Sequence, residues 1–392
     1  MRIIHCADIH LDSQMTSYLD SGMARKRRKE IFNTFCSMLD FAQENRVDAI
    51  IIAGDLFDTD KISMNTVKAV TDEIHRHGEV TVFYLPGNHD RKDNIFRGCN
   101  IPDNMIVLSG EWSYWRLNEV YGVQEIRTGQ KMPDETVILA GCVLDEYTDA
   151  DTYDHLQLPE NTVNIVTLHG QIYENGGRNN ADSIDIRRLQ NRCIDYLALG
   201  HVHAYQDGRL DHRGRYCYPG CLEGRGFDEC GEHGFVMLDV DALSGVIRSR
   251  FVPWAYRRIS EIQVDVTGMT DMLEVEDTIA ERLYSESRNS DMERIRDTDG
   301  LDIVRVILAG DSFTLEDISV EHISERFKDS FFYFSVLDRT YKGDGQTGYE
   351  NEVSLKGEFV RTVMASQLSQ DDKEYIIAMG IRALAGEEIV IE

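Results

Sequence analysis

Over roughly the first 250 residues, apolar and polar positions follow two alternating rhythms. Apolar runs of strand length recur at 2–7, 48–53, 80–85, 136–140, 163–168, 196–199 and 235–240, several of them ending in Gly, Asp, Asn or His. Between the first two runs, Ile31, Phe35, Met38, Leu39 and Ala42 repeat at spacings of three and four, which predicts a helix with one apolar face. A mixed segment at 63–77 predicts a second helix before the next strand. This repetition describes an α/β layered domain whose helices pack on a central sheet, and in such domains chemistry collects at the carboxyl ends of the strands.

The rhythm changes near Pro253, the last of six prolines. From there the pattern predicts strand (259–266), helix (270–284), strand (303–308), helix (315–327) and strand (331–337), a small α+β domain. After a glycine-rich stretch at 342–348, two amphipathic helices follow. One carries Phe359, Val360, Val363 and Met364, and the other carries Ile376, Ile377, Ile381 and Leu384 behind a capping-box pair, Ser369 and Asp372. The domain boundaries expected are 1–253, 254–340 and 341–392.

Composition narrows the class. Of 392 residues, 42% are hydrophobic and 28% charged, which fits a folded globular chain and not a disordered one. No apolar run approaches the roughly 18 residues of a membrane span. The N-terminus reaches Asp8 and His10 too soon to hold an apolar signal core, so a cytoplasmic location is expected. Eight cysteines are too sparse for a disulfide scaffold. Acidic residues outnumber basic ones 69 to 41, a net charge of -28, which opposes unaided tight binding to nucleic acid.

Chemistry concentrates in five short motifs where predicted strands end: Asp8-x-His10, Gly54-Asp55-x-x-Asp58, Gly87-Asn88-His89-Asp90, His169-Gly170 and Gly200-His201-x-His203. Each alone occurs by chance; their recurrence at successive strand ends is the signal. Mixed Asp, Asn and His donors without thiolate suit borderline or hard divalent ions. The candidate donors exceed the four of a tetrahedral site, and a shared carboxylate would let two ions sit about 3.5 to 4 Å apart and activate water against phosphorus.

The ordered set resembles the calcineurin-like metallophosphoesterase superfamily. The resemblance implies a layered metallophosphoesterase β-sandwich flanked by helices. It also implies that Asp8, His10 and His203 hold one metal, that Asn88, His169 and His201 hold a second, and that Asp55 bridges them. His89 would then meet the substrate phosphate and protonate or stabilise the leaving oxygen, with Asp58 orienting its imidazole. Protein phosphatases of the superfamily continue the second motif with Arg-Gly and end the third in Glu, whereas here Thr59-Asp60 follows Asp58 and the third ends in Asp90.

The opening Ile4-His5-Cys6-Ala7-Asp8-Ile9-His10-Leu11, together with Gly54-Asp55-Leu56-Phe57-Asp58-Thr59, instead resembles the SbcD-type DNA repair exonucleases, including their YhaO-like bacterial branch. Tyr218-Pro219-Gly220, Glu232-His233-Gly234-Phe235 and the closing Gly357-Glu358-Phe359-Val360-Arg361 extend the likeness.

This second resemblance implies a DNA exonuclease or endonuclease using two divalent ions, manganese first, with iron or zinc as alternatives. It implies a capping domain that shapes DNA access, terminal helices that dock an SbcC-like coiled-coil ATPase, and a homodimer. Two rivals stand beside it: a phosphodiesterase acting on nucleotides or other small diesters, and a non-catalytic DNA-end scaffold. The run Arg25-Lys26-Arg27-Arg28-Lys29 is a candidate phosphate contact or an ordinary solvated helix face. Cys217, Cys221, Cys230 and His233 lack the paired spacing of a zinc site, and Ala309-Gly310-Asp311 reads as a strand-to-turn element.

Overall fold

The runs of Ile, Val, Leu and Phe become strands because they are buried on both faces, as parallel sheets covered by helices require. The structure, a computed structural model, describes the chain apart from Thr16 and residues 59–61, 91–94, 97, 119–121, 127–135, 145–149, 174–182, 290–301, 313–314, 316–317, 342–353 and 385–392. Thr59, Asp60, the glycine-rich stretch at 342–348 and part of the expected terminal domain therefore lie outside the described residues.

The chain divides into two units, one running from Met1 to Arg258 and one beginning at Ile259. In the first, a six-stranded sheet is ordered Val246–Pro253, Gly234–Asp241, Arg2–Cys6, Ala49–Ala53, Thr81–Leu85, Met105–Val107. Its last four strands are parallel. A seven-stranded sheet is ordered Gln206–Arg209, Arg215–Tyr218, Tyr196–Gly200, Val163–His169, Val137–Gly141, Ser113–Asn118, Gly122–Ile126. The inner faces meet in one core, with Ile3, Ile51, Phe83 and Leu85 against Leu139, Ile165, Tyr196 and Ala198.

Helix α1 (Ser21–Glu44) lies on the first sheet, where Phe41 packs on Phe235 and Trp254; α2 (Met64–Arg76) follows it in the chain. The outer face of the second sheet buries Val166, Leu168, Leu197 and Leu199 with Leu156, beyond α3 (Ala150–Asp154), and with Ile186 and Leu189 of α4 (Ile186–Leu189). All seven expected strands are present. Periodicity missed Gln206–Arg209, a polar edge strand with no buried side chain, and Ser113–Asn118, a hairpin strand whose inward positions are only Trp115 and Leu117.

α1 corrects one expectation. Arg27 does not face solvent: its side chain is fully buried, with Nη1 3.0 Å from Glu30 and Nη2 2.9 Å from Glu223, so it cannot meet a phosphate. Arg257 bonds the other side of Glu30 at 2.6 Å, giving two buried cations for two buried carboxylates. Removing one member of such a set strands a charge. Arg27→Met is expected to destabilise the protein by about 3 kcal/mol, measured by denaturant unfolding.

Burial works to raise the Glu30 carboxyl, but its bonds to Arg257 and Arg27 outweigh that and hold it below the ordinary glutamate value. The stabilisation is thus present above that ordinary value and is lost as pH falls through the lowered one. Arg27→Met should narrow the wild-type advantage at acid pH.

The second unit carries parallel strands Ile259–Asp265, Ile303–Ala309 and Tyr333–Asp338, in that order, joined through α5 (Met272–Asn289) and α6 (Val320–Phe327). Ile262, Val264, Val304, Val306 and Leu308 pack with Val275, Ile279 and Ile323 of the helices. Ala309-Gly310-Asp311 is the turn expected, with Gly310 at φ +94 as the strand ends. α7 (Leu355–Met364) and α8 (Gln370–Leu384) pair as a hairpin around Val360, Val363 and Ile377, which spends much of their apolar faces on each other. Among the described residues, no helix is long and apolar enough to cross a membrane.

Candidate metal centre

The parallel strands of the sandwich end at one edge, and their carboxyl ends deliver the motif residues. Asp8 and His10 follow Arg2–Cys6, Asp55 follows Ala49–Ala53, and Asn88 and His89 follow Thr81–Leu85. His169 closes Val163–His169, while His201 and His203 follow Tyr196–Gly200. Backbone bonds fix these ends side by side: Asp8 N–H donates to the Gly54 carbonyl and His10 N–H to the Asp55 carbonyl, each at 3.0 Å.

The turns are strained. Asp8, His10, Asp55 and His201 have φ of 50, 48, 49 and 101, a left-handed region that non-glycine residues enter at a cost of about 1 kcal/mol or more. Two glycines cannot be replaced. A Cβ on Gly54, itself at φ +98, would stand 1.9 Å from His169 Nδ1, and one on Gly87 would stand 2.1 Å from Asp55 Oδ1. Such strain and close approach are held in place where side chains must converge.

They converge as two donor sets. Asp8, His10 and His203 place ligand atoms within 4.8 Å of one another, as do Asp8, Asp55 and His169. Asn88 Oδ1 lies 2.8 Å from His169 Nε2 and 3.3 Å from His201 Nδ1. Asp55 Oδ2 sits between the sets, 3.9 Å from His10 Nε2 and 3.4 Å from His169 Nε2. All seven expected ligands are thus brought to one place.

The partners of each ring nitrogen set which one faces the centre. His203 Nδ1–H donates to Glu229 Oε1 at 2.7 Å, and His169 Nδ1–H donates to the Ala53 carbonyl at 2.9 Å. His10 Nδ1 lies 3.1 Å from Asp58 Oδ1, a close contact bent out of hydrogen-bond alignment. With each Nδ1 turned to these outer oxygens, the Nε2 atoms face inward. Those of His10 and His203 meet at 3.2 Å, and that of His169 faces the oxygens of Asn88 and Asp55. Lone pairs so opposed need a proton or a cation between them, and the donor chemistry fits divalent ions.

The titrations of these groups are shifted in both directions. Burial raises Asp8 to about 6 and lowers His10 to about 4. Burial also opposes charge on His169, but its contacts with Asp55 lift it to about 9, while Asp55, despite its own burial, is held far below the carboxylate range by His169. A buried cluster whose titrations are pushed apart in this way is an expected property of a functional site.

One expectation changes in detail. The Asp58 carboxylate does not hold His89; it faces His10 and bonds Arg225 at 2.8 Å. It is the Asp58 backbone carbonyl that accepts His89 Nδ1–H, at 2.7 Å, because the turn after Asp55 aims the side chain inward and the carbonyl outward. Asp90 braces the loop below, accepting from Gly87 N–H at 2.6 Å and Phe57 N–H at 3.2 Å.

The thiols form no ligand group among the described residues: Cys221 Sγ contacts His233 Nδ1 at 3.2 Å, whereas Cys230 donates to the Phe227 carbonyl. A group of Asp40, Glu73 and His77 closes the end of α2, with His77 bonding the Glu73 carbonyl and Asp40. Glu229 and Arg225 escaped sequence reasoning. Their only trace is a dense charged stretch, 223–229, beyond the last His motif, and nothing in its spacing says which imidazole it faces.

A sequence model described as calcineurin-like phosphoesterase matches residues 1–205, more than half of the chain. The chain belongs to this family. This phosphoesterase is 27% identical over 299 residues to the uncharacterized metallophosphoesterase YhaO of Bacillus subtilis, covering 71% of the chain and 68% of that protein. It is 26% identical over 213 residues to the DNA double-strand break repair protein Mre11 of Saccharolobus solfataricus, covering 52% of the chain and 49% of the relative. To the Mre11 of Methanopyrus kandleri it is 25% identical over 287 residues, 68% of the chain and 60% of the relative. The phosphoesterase thus spans about half to three-fifths of the length of the two Mre11 proteins.

Proposed function

We propose that this phosphoesterase is a two-metal phosphodiesterase that hydrolyses DNA. The observation that carries the proposal is the Asp8/His10/His203 group on one side of the Asp55 carboxylate and, on the other, His169 and His201 gathered around Asn88 Oδ1 as a second donor set. Two divalent ions, with manganese suited to this mix of carboxylate, amide and imidazole, would supply Lewis acidity and a nucleophile from water at neutral pH.

The chain's own part is positioning and proton transfer. His89 is exposed, and its ring centre stands 5.0 Å from that of His10, beside the first donor set. Its Nδ1–H is committed to the Asp58 carbonyl, so in the imidazolium form Nε2–H would meet the phosphate and give its proton to the departing oxygen, leaving the neutral ring. The His89 N–H also donates to Asp55 Oδ1 at 3.0 Å, so the candidate acid and the shared carboxylate are in fixed register.

Likeness to two proteins named for DNA double-strand break repair supports DNA as the substrate, as do the exposed side chains of Arg25, Lys26 and Lys29 at the start of α1. Arg28 is half-buried and bonds the Gln14 carbonyl. Reversing the charge of Arg25, Lys26 and Lys29 together is expected to weaken DNA binding. It should also flatten the dependence of log K on log salt by about 0.9 per lost phosphate contact, as read by fluorescence anisotropy across a salt series. On this reading an SbcC-like ATPase docks on the α7–α8 hairpin, which still exposes Leu355, Met364, Leu368, Tyr375 and Leu384, and the chain works as a homodimer.

A net charge of -28 favours the second reading, a small phosphodiester as substrate. The test is metal analysis with a Mn²⁺-dependent assay on single-stranded, double-stranded and hairpin DNA, with and without the ATPase, beside dinucleotides. DNA cleavage is the expected result. Hydrolysis of dinucleotides with none of longer DNA would replace the first reading with the second.

A further inference from the structure

Beyond the last ligand pair, the chain passes through Glu223-Gly224-Arg225-Gly226-Phe227-Asp228-Glu229 before it re-enters the first sheet at Gly234. No residue of this segment belongs to either donor set, yet its backbone is fastened from several sides. Buried Arg27 donates to the Gly224 carbonyl at 3.0 Å as well as to Glu223. Tyr18 Oη donates to the Arg225 carbonyl at 2.8 Å, and the Arg225 N–H donates to Glu229 Oε2 at 2.7 Å.

What this frame presents is a partly buried guanidinium. Arg225 Nη1 donates to Asp58 Oδ1 at 2.8 Å, Nη2 donates to Glu229 Oε1 at 2.7 Å, and Nε reaches the same oxygen at 3.2 Å. Each of those oxygens also lies against an Nδ1 of the first donor set: Asp58 Oδ1 at 3.1 Å from His10, Glu229 Oε1 at 2.7 Å from His203. One cation therefore joins the two carboxylates that stand behind two imidazoles, and the far nitrogens of those rings converge at 3.2 Å.

We propose that Arg225 is a positioning residue for the first metal ion, clamping Asp58 and Glu229 so that His10 and His203 present their Nε2 atoms to one point. The physical reason is directional. A carboxylate behind a ligating imidazole fixes its tautomer and orientation, and losing such a partner weakens metal binding. Asp58 and Glu229 arrive from distant parts of the chain, and their negative charges would drive them apart without a cation between them. A planar fork with fixed N–H directions can satisfy both at once, which a lysine point charge cannot. His169, in the second set, is oriented by the Ala53 carbonyl, so the clamp acts on one ion of the two.

This inference rests on the two-metal reading and is tested by Mn²⁺ titration of the metal-free full chain, followed calorimetrically and by the electron paramagnetic resonance of free Mn²⁺. Wild type is expected to bind two ions. Arg225→Met should weaken one site by about 10- to 100-fold while the other keeps its wild-type affinity. Arg225→Lys should recover only part of the loss, and kcat should fall more than KM changes.

Thermal unfolding of the apo proteins checks the fold. Glu229→Gln, which keeps the side-chain shape and drops the charge, gives the same single-site reading where the methionine variant melts early. Two sites of wild-type affinity in both variants would overturn the inference, and so would equal weakening of both sites together with a lowered melting temperature. A wild-type protein that binds fewer than two ions would overturn the metal centre itself, a different and visible failure.

Discussion

Asp55→Asn is expected to empty both metal positions together and reduce phosphodiesterase activity by about three orders of magnitude or more. Its carboxylate is the group that faces both donor sets, at 3.9 Å from His10 Nε2 and 3.4 Å from His169 Nε2. An amide keeps one oxygen and the side-chain volume but loses the negative charge that offsets two dications. Asn88→Ala, by contrast, removes a donor from only the second set, so the first ion should stay. Metal per chain, measured by plasma mass spectrometry after gel filtration, separates the outcomes: near zero for Asp55→Asn and near one for Asn88→Ala. Two ions retained in Asp55→Asn would remove its bridging role.

His89→Ala should lower kcat on DNA by 10²- to 10⁴-fold, the range of a lost general acid, with both ions still bound. The imidazole is tied to the Asp58 carbonyl and, although its donor atoms come within 4.8 Å of those of His10 and Asp58, it belongs to neither proposed donor set, so both ions are expected to stay. Leaving-group chemistry sharpens the test. Departing p-nitrophenolate needs no proton, so hydrolysis of an aryl phosphodiester should survive the substitution far better than hydrolysis of DNA. An equal loss on both substrates would mean that His89 binds the phosphate and does not protonate the leaving oxygen.

Much of this was legible beforehand because strands buried on both faces leave continuous apolar runs, and because ligand residues must sit where those runs stop. The strands at Ala49–Ala53 and Val163–His169 and the candidate ligands Asp55 and His169 are of this kind. Polar edge strands were not legible, since Gln206–Arg209 buries none of its side chains fully and so carries no period-two signature. The basic run misled at Arg27. Arg27 looks like its neighbours in the sequence, but the helical turn points it inward toward Glu223, a residue almost 200 positions away.

The same limit applies at the metal centre. The sequence alone determined the donor types, their order and their place at strand ends, because local backbone chemistry sets where a chain can turn tightly around a ligand. It could not say that the Asp58 carboxylate serves His10 while its carbonyl serves His89, nor that Arg225 and Glu229 stand behind the first donor set. Those assignments depend on distances between side chains remote in sequence, and such distances exist only once two sheets have closed on a shared core.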